Sequence, residues 1–214
     1  MKIYGYGVEL HRLTEDNIEL VRNHRNSTTI NQFMDFREHI TEEQQLLWFN
    51  TINNLNNNYY IIIHNQTKIG LIYGADINWD TLETGNGGIF IWDTNYWESE
   101  IPALASILLT DTSILLGLKK TYIKVLKSNK KAIAFNKMLG YKLCENQFKD
   151  NQQYELEITN YQNKREKLLK YFSSIQHKKP TIYFDENNPT DAFYLNLIKQ
   201  QPLKNQQLFN IKLI

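Results

Sequence analysis

The chain has 214 residues, 42% hydrophobic and 22% charged, with 24 Lys and Arg against 23 Asp and Glu and a formal net charge of +1. That length and balance suit one globular domain, or one domain with an appendage. The near-zero charge removes any global reason to expect nucleic acid or an anionic membrane as partner. A single cysteine, Cys144, excludes an intrachain disulfide and a cysteine-built metal cluster. MKIYGYGVEL holds no signal-like apolar run, and no stretch reaches the roughly eighteen apolar residues of a membrane span, so a cytoplasmic protein is expected.

Residues 3–13 read as a first strand, after which Thr14, through its hydroxyl and an acidic first turn, starts the helix TEDNIELVRNHRN. A second helical piece, TINQFMDF, follows. Thr41-Glu42-Glu43-Gln44 has capping-box spacing, and Leu46, Leu47, Phe49 and Ile52 give its helix an apolar face. Beyond an Asn-rich turn at 53–58, YYIIIHN and KIGLIYGAD form a hairpin across Asn65-Gln66-Thr67. GGIFIWD, Gly87 to Asp93, is a further strand. PALASILLTDTSILLGL is a long helix, apolar on several sides and therefore largely buried.

From Tyr122 to Leu143, YIKVLKSNKKAIAFNKMLGYKL holds a strand of period two, a turn with Asn129 at a helix start, Ala132, Ile133, Phe135 and Leu139 at helical spacing, and a Gly140-Tyr141 stop. A strand ending K-V-L-x-x-N, then K-x-A-I-x-F-N-K-x-L-G-Y, resembles the last conserved part of the GNAT acyl-CoA N-acyltransferases, V-x-x-x-N-x-x-A-I-x-x-Y-x-x-x-G-F. An ordinary strand-helix-strand unit with a glycine cap is the plainer reading. The order β-α-α-β-β-β-α-β-α-β up to residue 159, closing with QQYELEI, favours the family. The resemblance implies an α/β (α+β) GNAT fold: a central mixed sheet of about six to seven strands flanked by helices, over residues 1–175. The charged helix NYQNKREKLLKYF falls within 160–175. A C-terminal extension, 176–214, then reads as strand TIYFDE, a helix from Pro189-Thr190-Asp191, and strand QLFNIKLI. That last strand offers an edge to a second copy, a route to a homodimer.

The resemblance also implies acetyl-CoA as co-substrate, in a cleft where two parallel strands splay. Ile89, Phe90 and Ile91 would offer backbone groups to the amide-bearing pantetheine arm. The pyrophosphate would sit on the amino end of the long helix, at Ser99, Glu100, Ile101, Pro102 and Ala103, and Asn129 and Asn136 would face the cofactor. Two departures stand out. Where the family has R-G-x-G-x-G/A, this chain has Trp97-Glu98-Ser99-Glu100-Ile101-Pro102-Ala103, without glycine and with two carboxylates. Where the family has a tyrosine that protonates the thiolate, it has Asn136, and an amide cannot be that acid. Asn136 is expected to hydrogen-bond the thioester or thiolate. Candidate bases are Asp76, Glu83 and Asp93, for each of which a solvated strand-end carboxylate is the plainer reading; Asp76 joins Asn136 as the candidate catalytic residues. The lysine pairs 119-120, 130-131 and 178-179 read as solvated faces or as attraction for a polyanionic cofactor.

H-R-N-S-x-x-I-N-Q-F-M, His24 to Met34, and I-T-E-E-Q-Q-x-x-W-F are similar to the GNAT subgroup that acetylates amino groups on nucleotide-linked sugars for surface glycans. The likeness places Arg25, Met34, Gln44 or Gln45, and Trp48 at the acceptor, with Arg25 on a phosphate. Core packing is the plainer reading for Met34 and Trp48. The five histidines lack ligand spacing, so no metal is expected, and the scattered tyrosines give no nucleic-acid face. The expected function is acetyl transfer from acetyl-CoA to a small-molecule amine, a nucleotide-linked amino sugar. The alternatives are a protein N-terminal acetyltransferase of the ribosomal-protein type and a non-catalytic GNAT-fold binding or scaffold module.

Overall fold

In the computed structural model, which describes residues 1–147, 149–172 and 178–214, the first expected strand is a hairpin. β1 (Lys2–Gly5) and β2 (Val8–Arg12) pair antiparallel because Tyr6 and Gly7, at φ 56° and 79°, make a two-residue left-handed turn. Thr14 caps no amide; its hydroxyl accepts from the Asn17 side chain at 3.0 Å, and the chain enters α1 (Ile18–Asn26) through a 3-10 turn at 15–17. The second helical piece contracts to α2 (Thr28–Asn31). The capping box of α3 (Glu42–Ile52) forms as expected: Thr41 Oγ1 accepts from the Gln44 amide at 3.2 Å, and Gln44 Oε1 accepts from the Thr41 amide at 2.8 Å.

β3 (Asn58–His64) and β4 (Thr67–Asn78) form the predicted hairpin, with Asn65 and Gln66 at φ 47° and 65°. β5 (Glu83–Ile91), α4 (Ile101–Leu115), β6 (Lys120–Leu126), α5 (Lys130–Leu139), β7 (Lys142–Leu143), β8 (Asn151–Glu157) and α6 (Ile158–Tyr171) follow. The predicted Asn129 cap accepts from the Ala132 amide at 3.1 Å, and Gly140 ends α5 at φ 110°.

The tail supplies β9 (Thr181–Phe184), α7 (Pro189–Lys199), α8 (Leu203–Gln206) and β10 (Asn210–Leu213). β9 pairs antiparallel with β1, and β10 runs parallel to β9, so the sheet has ten strands in the order β10-β9-β1-β2-β3-β4-β5-β6-β8-β7. The count exceeds six to seven because the first strand is two and the tail continues the same sheet. Ile182, Phe184, Tyr194, Ile198 and Phe209 of the tail share one core with α4. Residues 173–177, where the extension was expected to begin, lie outside the described residues. Among the described residues no helix is long and apolar enough to cross a membrane.

The strand period of two sorts the sheet into its faces. Ile72 of β4 joins the core built on α4, while Leu71 packs with Val21 of α1 and Phe49 of α3 on the opposite side. Beneath α6 the α4 core holds a charged group, Asp111, at 0% exposure. Arg165 of α6 grips it with two hydrogen bonds, Nε to Oδ1 at 2.7 Å and Nη2 to Oδ2 at 2.8 Å. The hydroxyls of Tyr6 and Tyr161 donate to it at 2.7 and 3.0 Å. The network ties the β1–β2 turn to α4 and α6.

Candidate active site

β5 and β6 are paired, in parallel, only at Glu83–Lys120 and Thr84–Thr121, whereas β5 stays paired with β4 as far as Ile91. Beyond Thr84 the ladder between the two strands ends, and among the described residues the edge of β5 that faces β6 has no ladder partner. Backbone N–H and C=O groups need partners, so this edge is built to receive a strand-like ligand bearing amides. The two strands are still close at Gly87, where a Cβ would stand 3.3 Å from the Tyr122 carbonyl oxygen. The cleft measures about 70 Å³, and its walls include Gly87, Gly88, Ile89, Tyr122, Asn136 and Tyr141. Tyr141 is pinned there by a 2.9 Å hydrogen bond with Thr121 Oγ1. Burial pushes its pKa up to about 12 against the opposing pull of that bond, so it stays a neutral hydroxyl at ordinary pH.

The amino ends of α4 and α5 stand beside each other, outside the residues that line the cleft. Ser99 Oγ donates to the Tyr96 carbonyl at 2.8 Å and accepts from the Ile101 amide at 3.3 Å. Pro102 has no N–H, and the Leu104 amide is bound to the Glu100 carbonyl, which leaves the Ala103 amide at the expected pyrophosphate position. Glu98 forms an ion pair with Lys131 of α5, so a basic first turn of α5, Lys130 and Lys131, stands beside the glycine-free loop. Of the IFI segment, the Ile91 carbonyl already accepts from Trp97 Nε1 at 2.9 Å, and the Phe90 side chain lines a different cavity. Asn129 Oδ1 is spent on its cap, leaving its NH₂ group. Asn136 Nδ2 donates to the Ala132 carbonyl at 2.8 Å and keeps a second amide hydrogen.

Asp76 stands apart from both cavities. β4 continues past it to Asn78, and Asp76 is an exposed residue at φ 55°, where the β4–β5 register steps from Ala75–Asn86 to Ile77–Thr84. Asp93 accepts from the Asn95 amide at 3.1 Å and starts a short 3-10 turn. Glu83 sits at the root of the splay.

On the opposite face, α1, the segment after α2, α3 and strands β3 to β5 enclose a cavity of about 490 Å³. Arg25, Met34, Gln44 and Trp48, gathered from three separate segments, all line it. Gln44, exposed, has its side-chain oxygen committed to the capping box; the next residue, Gln45, is 3% exposed, and its Nε2 has no partner among the described residues. Arg25 Nη2 donates to the Phe36 carbonyl at 3.3 Å, while Nη1 is buried without a partner among the described residues. Burial pushes the Arg25 pKa down, and nearby Tyr73 raises it. Among the described residues no carboxylate lines the cavity. Each unmet buried donor costs on the order of 1–3 kcal/mol until an acceptor reaches it. Tyr73, which no local sequence signal marks, lines both cavities.

No protein-family model matches the chain, and no curated protein matches it. Solved structures do. The chain is similar to spermidine N-acetyltransferase from Vibrio cholerae in complex with CoA and spermine, with a TM-score of 0.64 at 17% identity over 73% of this chain and 99% of that one. It is similar to FdhC, a nucleotide-linked sugar GNAT, with a TM-score of 0.65 at 18% identity over 78% and 96%. A domain from Methanocaldococcus jannaschii gives 0.62 at 22% over 70% and 97%. The chain therefore has the GNAT fold, as its Asn129-to-Tyr141 motif implies, and identities at this level establish the fold alone.

Proposed function

We propose that the chain is an N-acetyltransferase that moves the acetyl group of acetyl-CoA to the amine of a nucleotide-linked amino sugar destined for a surface glycan. One observation carries the choice of acceptor: a cavity whose described lining has no carboxylate and includes Arg25 and Gln45, each with a buried donor that has no partner among the described residues, Nη1 and Nε2. A phosphate or carboxylate supplies the acceptors they lack. A polyamine such as the spermine bound by the Vibrio cholerae protein brings cations and further donors to a site that already holds both. Met34, Trp48 and the stacked rings of Tyr59 and Tyr73 give an apolar and aromatic wall for a sugar or base.

The residues at the cleft suit the acyl donor. The open β5 edge pairs with its pantetheine amides, and Lys130 and Lys131 supply the positive charge that the glycine-free loop lacks. Acetyl-CoA contributes an activated thioester; the protein contributes position and donors. Holding the amine and the thioester against each other from opposite faces of the sheet accounts for most of the rate, and an amide of Ile89 or Ile91 stabilises the developing oxyanion. Asn136 orients the thioester with its second amide hydrogen, and the ammonium proton leaves to water.

Thiol release from acetyl-CoA, measured with nucleoside-diphosphate amino sugars, spermidine and peptides with free amino termini, tests this reading. Amino sugars should lead in kcat/KM by at least about a hundredfold, the worth of two restored buried hydrogen bonds. A preference for spermidine or for peptides would overturn the acceptor assignment.

A further inference from the structure

The cleft lacks an acid at Asn136, and the molecule offers another hydroxyl. Tyr73 of β4 alone, among the described residues, lines both the cleft and the acceptor cavity. Its cross-strand partner is Gly88 of β5, and a Cβ on Gly88 would lie 2.8 Å from the Tyr73 hydroxyl oxygen. The missing side chain therefore lets the phenol cross β5, over the edge left open by the splay. The ring lies flat on Tyr59, with centroids 4.7 Å apart and planes 11° apart, which fixes its direction. Four other tyrosines are spent: Tyr6 and Tyr161 on Asp111, Tyr194 on Asn58, and Tyr141 on Thr121. The Tyr73 hydroxyl has no hydrogen-bond partner among the described residues.

Building on the acetyltransferase reading, we propose that Tyr73 is the catalytic acid, protonating the sulfur of the acyl donor as it departs. As the carbon–nitrogen bond forms and the carbon–sulfur bond breaks, Tyr73 gives its hydroxyl proton to the sulfur, which leaves as a thiol. Its phenolate then takes the proton shed by the newly acylated nitrogen, so the enzyme ends as it began. Burial, the dominant influence, keeps the phenol protonated between turnovers; Arg25 opposes it and offsets the phenolate charge, while Asp76 pushes the pKa further up.

The test compares the wild type with Tyr73→Phe, which keeps the ring on Tyr59, and with Gly88→Ala, which keeps the hydroxyl but crowds the ring out of place. Tyr73→Phe should lose about a hundredfold in kcat, within the usual range for a general acid, with both KM values and the acetyl-CoA Kd unchanged, and Gly88→Ala should also lower kcat. A second readout needs no turnover: the thiol of bound CoA should ionise at lower pH in the wild type than in Tyr73→Phe, because a donor stabilises the thiolate. An unchanged kcat, or the same thiol ionisation in both proteins, would overturn the role of Tyr73. A wild type that does not bind acetyl-CoA would overturn the acetyltransferase reading itself, a separate outcome.

Discussion

Asp111→Ala is expected to lower the free energy of unfolding by about 3–5 kcal/mol, the range for breaking a buried ion pair by removing one partner. The carboxylate has no contact with water, and Arg165, at 17% side-chain exposure, would be left with the Tyr6 hydroxyl at 2.7 Å as its acceptor. Tyr6 and Tyr161 would lose the acceptor for their hydroxyls as well. Against the roughly 5–15 kcal/mol that stabilises an ordinary domain, this is about a fifth or more of the total. For a chain of this length it lowers Tm by on the order of 10–15 °C. Removing both charges, with Asp111→Leu and Arg165→Met together, should recover much of the loss, because the cost of desolvating the pair disappears with it. Denaturant unfolding of the two single variants and the double variant measures this coupling. A loss under about 1 kcal/mol for Asp111→Ala would show that the network does not hold the β1–β2 turn against α4.

Arg25→Leu should move stability and binding in opposite directions. The guanidinium is carried into an apolar cavity with one nitrogen unmet and with burial pressing its pKa down, a cost that the single 3.3 Å bond to the Phe36 carbonyl does not offset. A shorter apolar side chain removes that cost, and the unliganded protein should gain about 1–2 kcal/mol. The same change removes a charged hydrogen bond to the acceptor, worth about 1.5–3 kcal/mol, so KM for a nucleotide amino sugar should rise by roughly tenfold to a hundredfold. The KM for acetyl-CoA, bound from the other face, should not move. A less stable variant with an unchanged acceptor KM would remove Arg25 from the site and leave it a packing residue.

Features decided within one turn of chain were legible in the sequence. Asn129 caps α5 and Gly140 ends it because a helix start needs an oxygen and a left-handed stop needs glycine. The choice between Gln44 and Gln45 was also present in the sequence: a capping box at Thr41 commits the Gln44 side chain to the helix start, which leaves its neighbour to face the cavity. The Tyr6-Gly7 turn was hidden because a tyrosine at positive φ carries no turn signature. Asp76 read as a strand end because its step in register depends on β5. The pairing of β9 with β1, and the role of Tyr73 over Gly88, depend on which strands become neighbours across long stretches of chain. Local pattern does not encode that.

Whether a loop without glycine, with Glu98 held by Lys131, still serves an open β5 edge that takes an acyl-CoA is the central claim. The direct measurement is thermal unfolding of the full chain with increasing acetyl-CoA. Binding at a hundredfold excess over Kd should stabilise the protein by about 2.7 kcal/mol, with the midpoint still rising as concentration rises. An unmoved midpoint at millimolar acetyl-CoA would contradict the account, leaving a GNAT fold without its acyl donor.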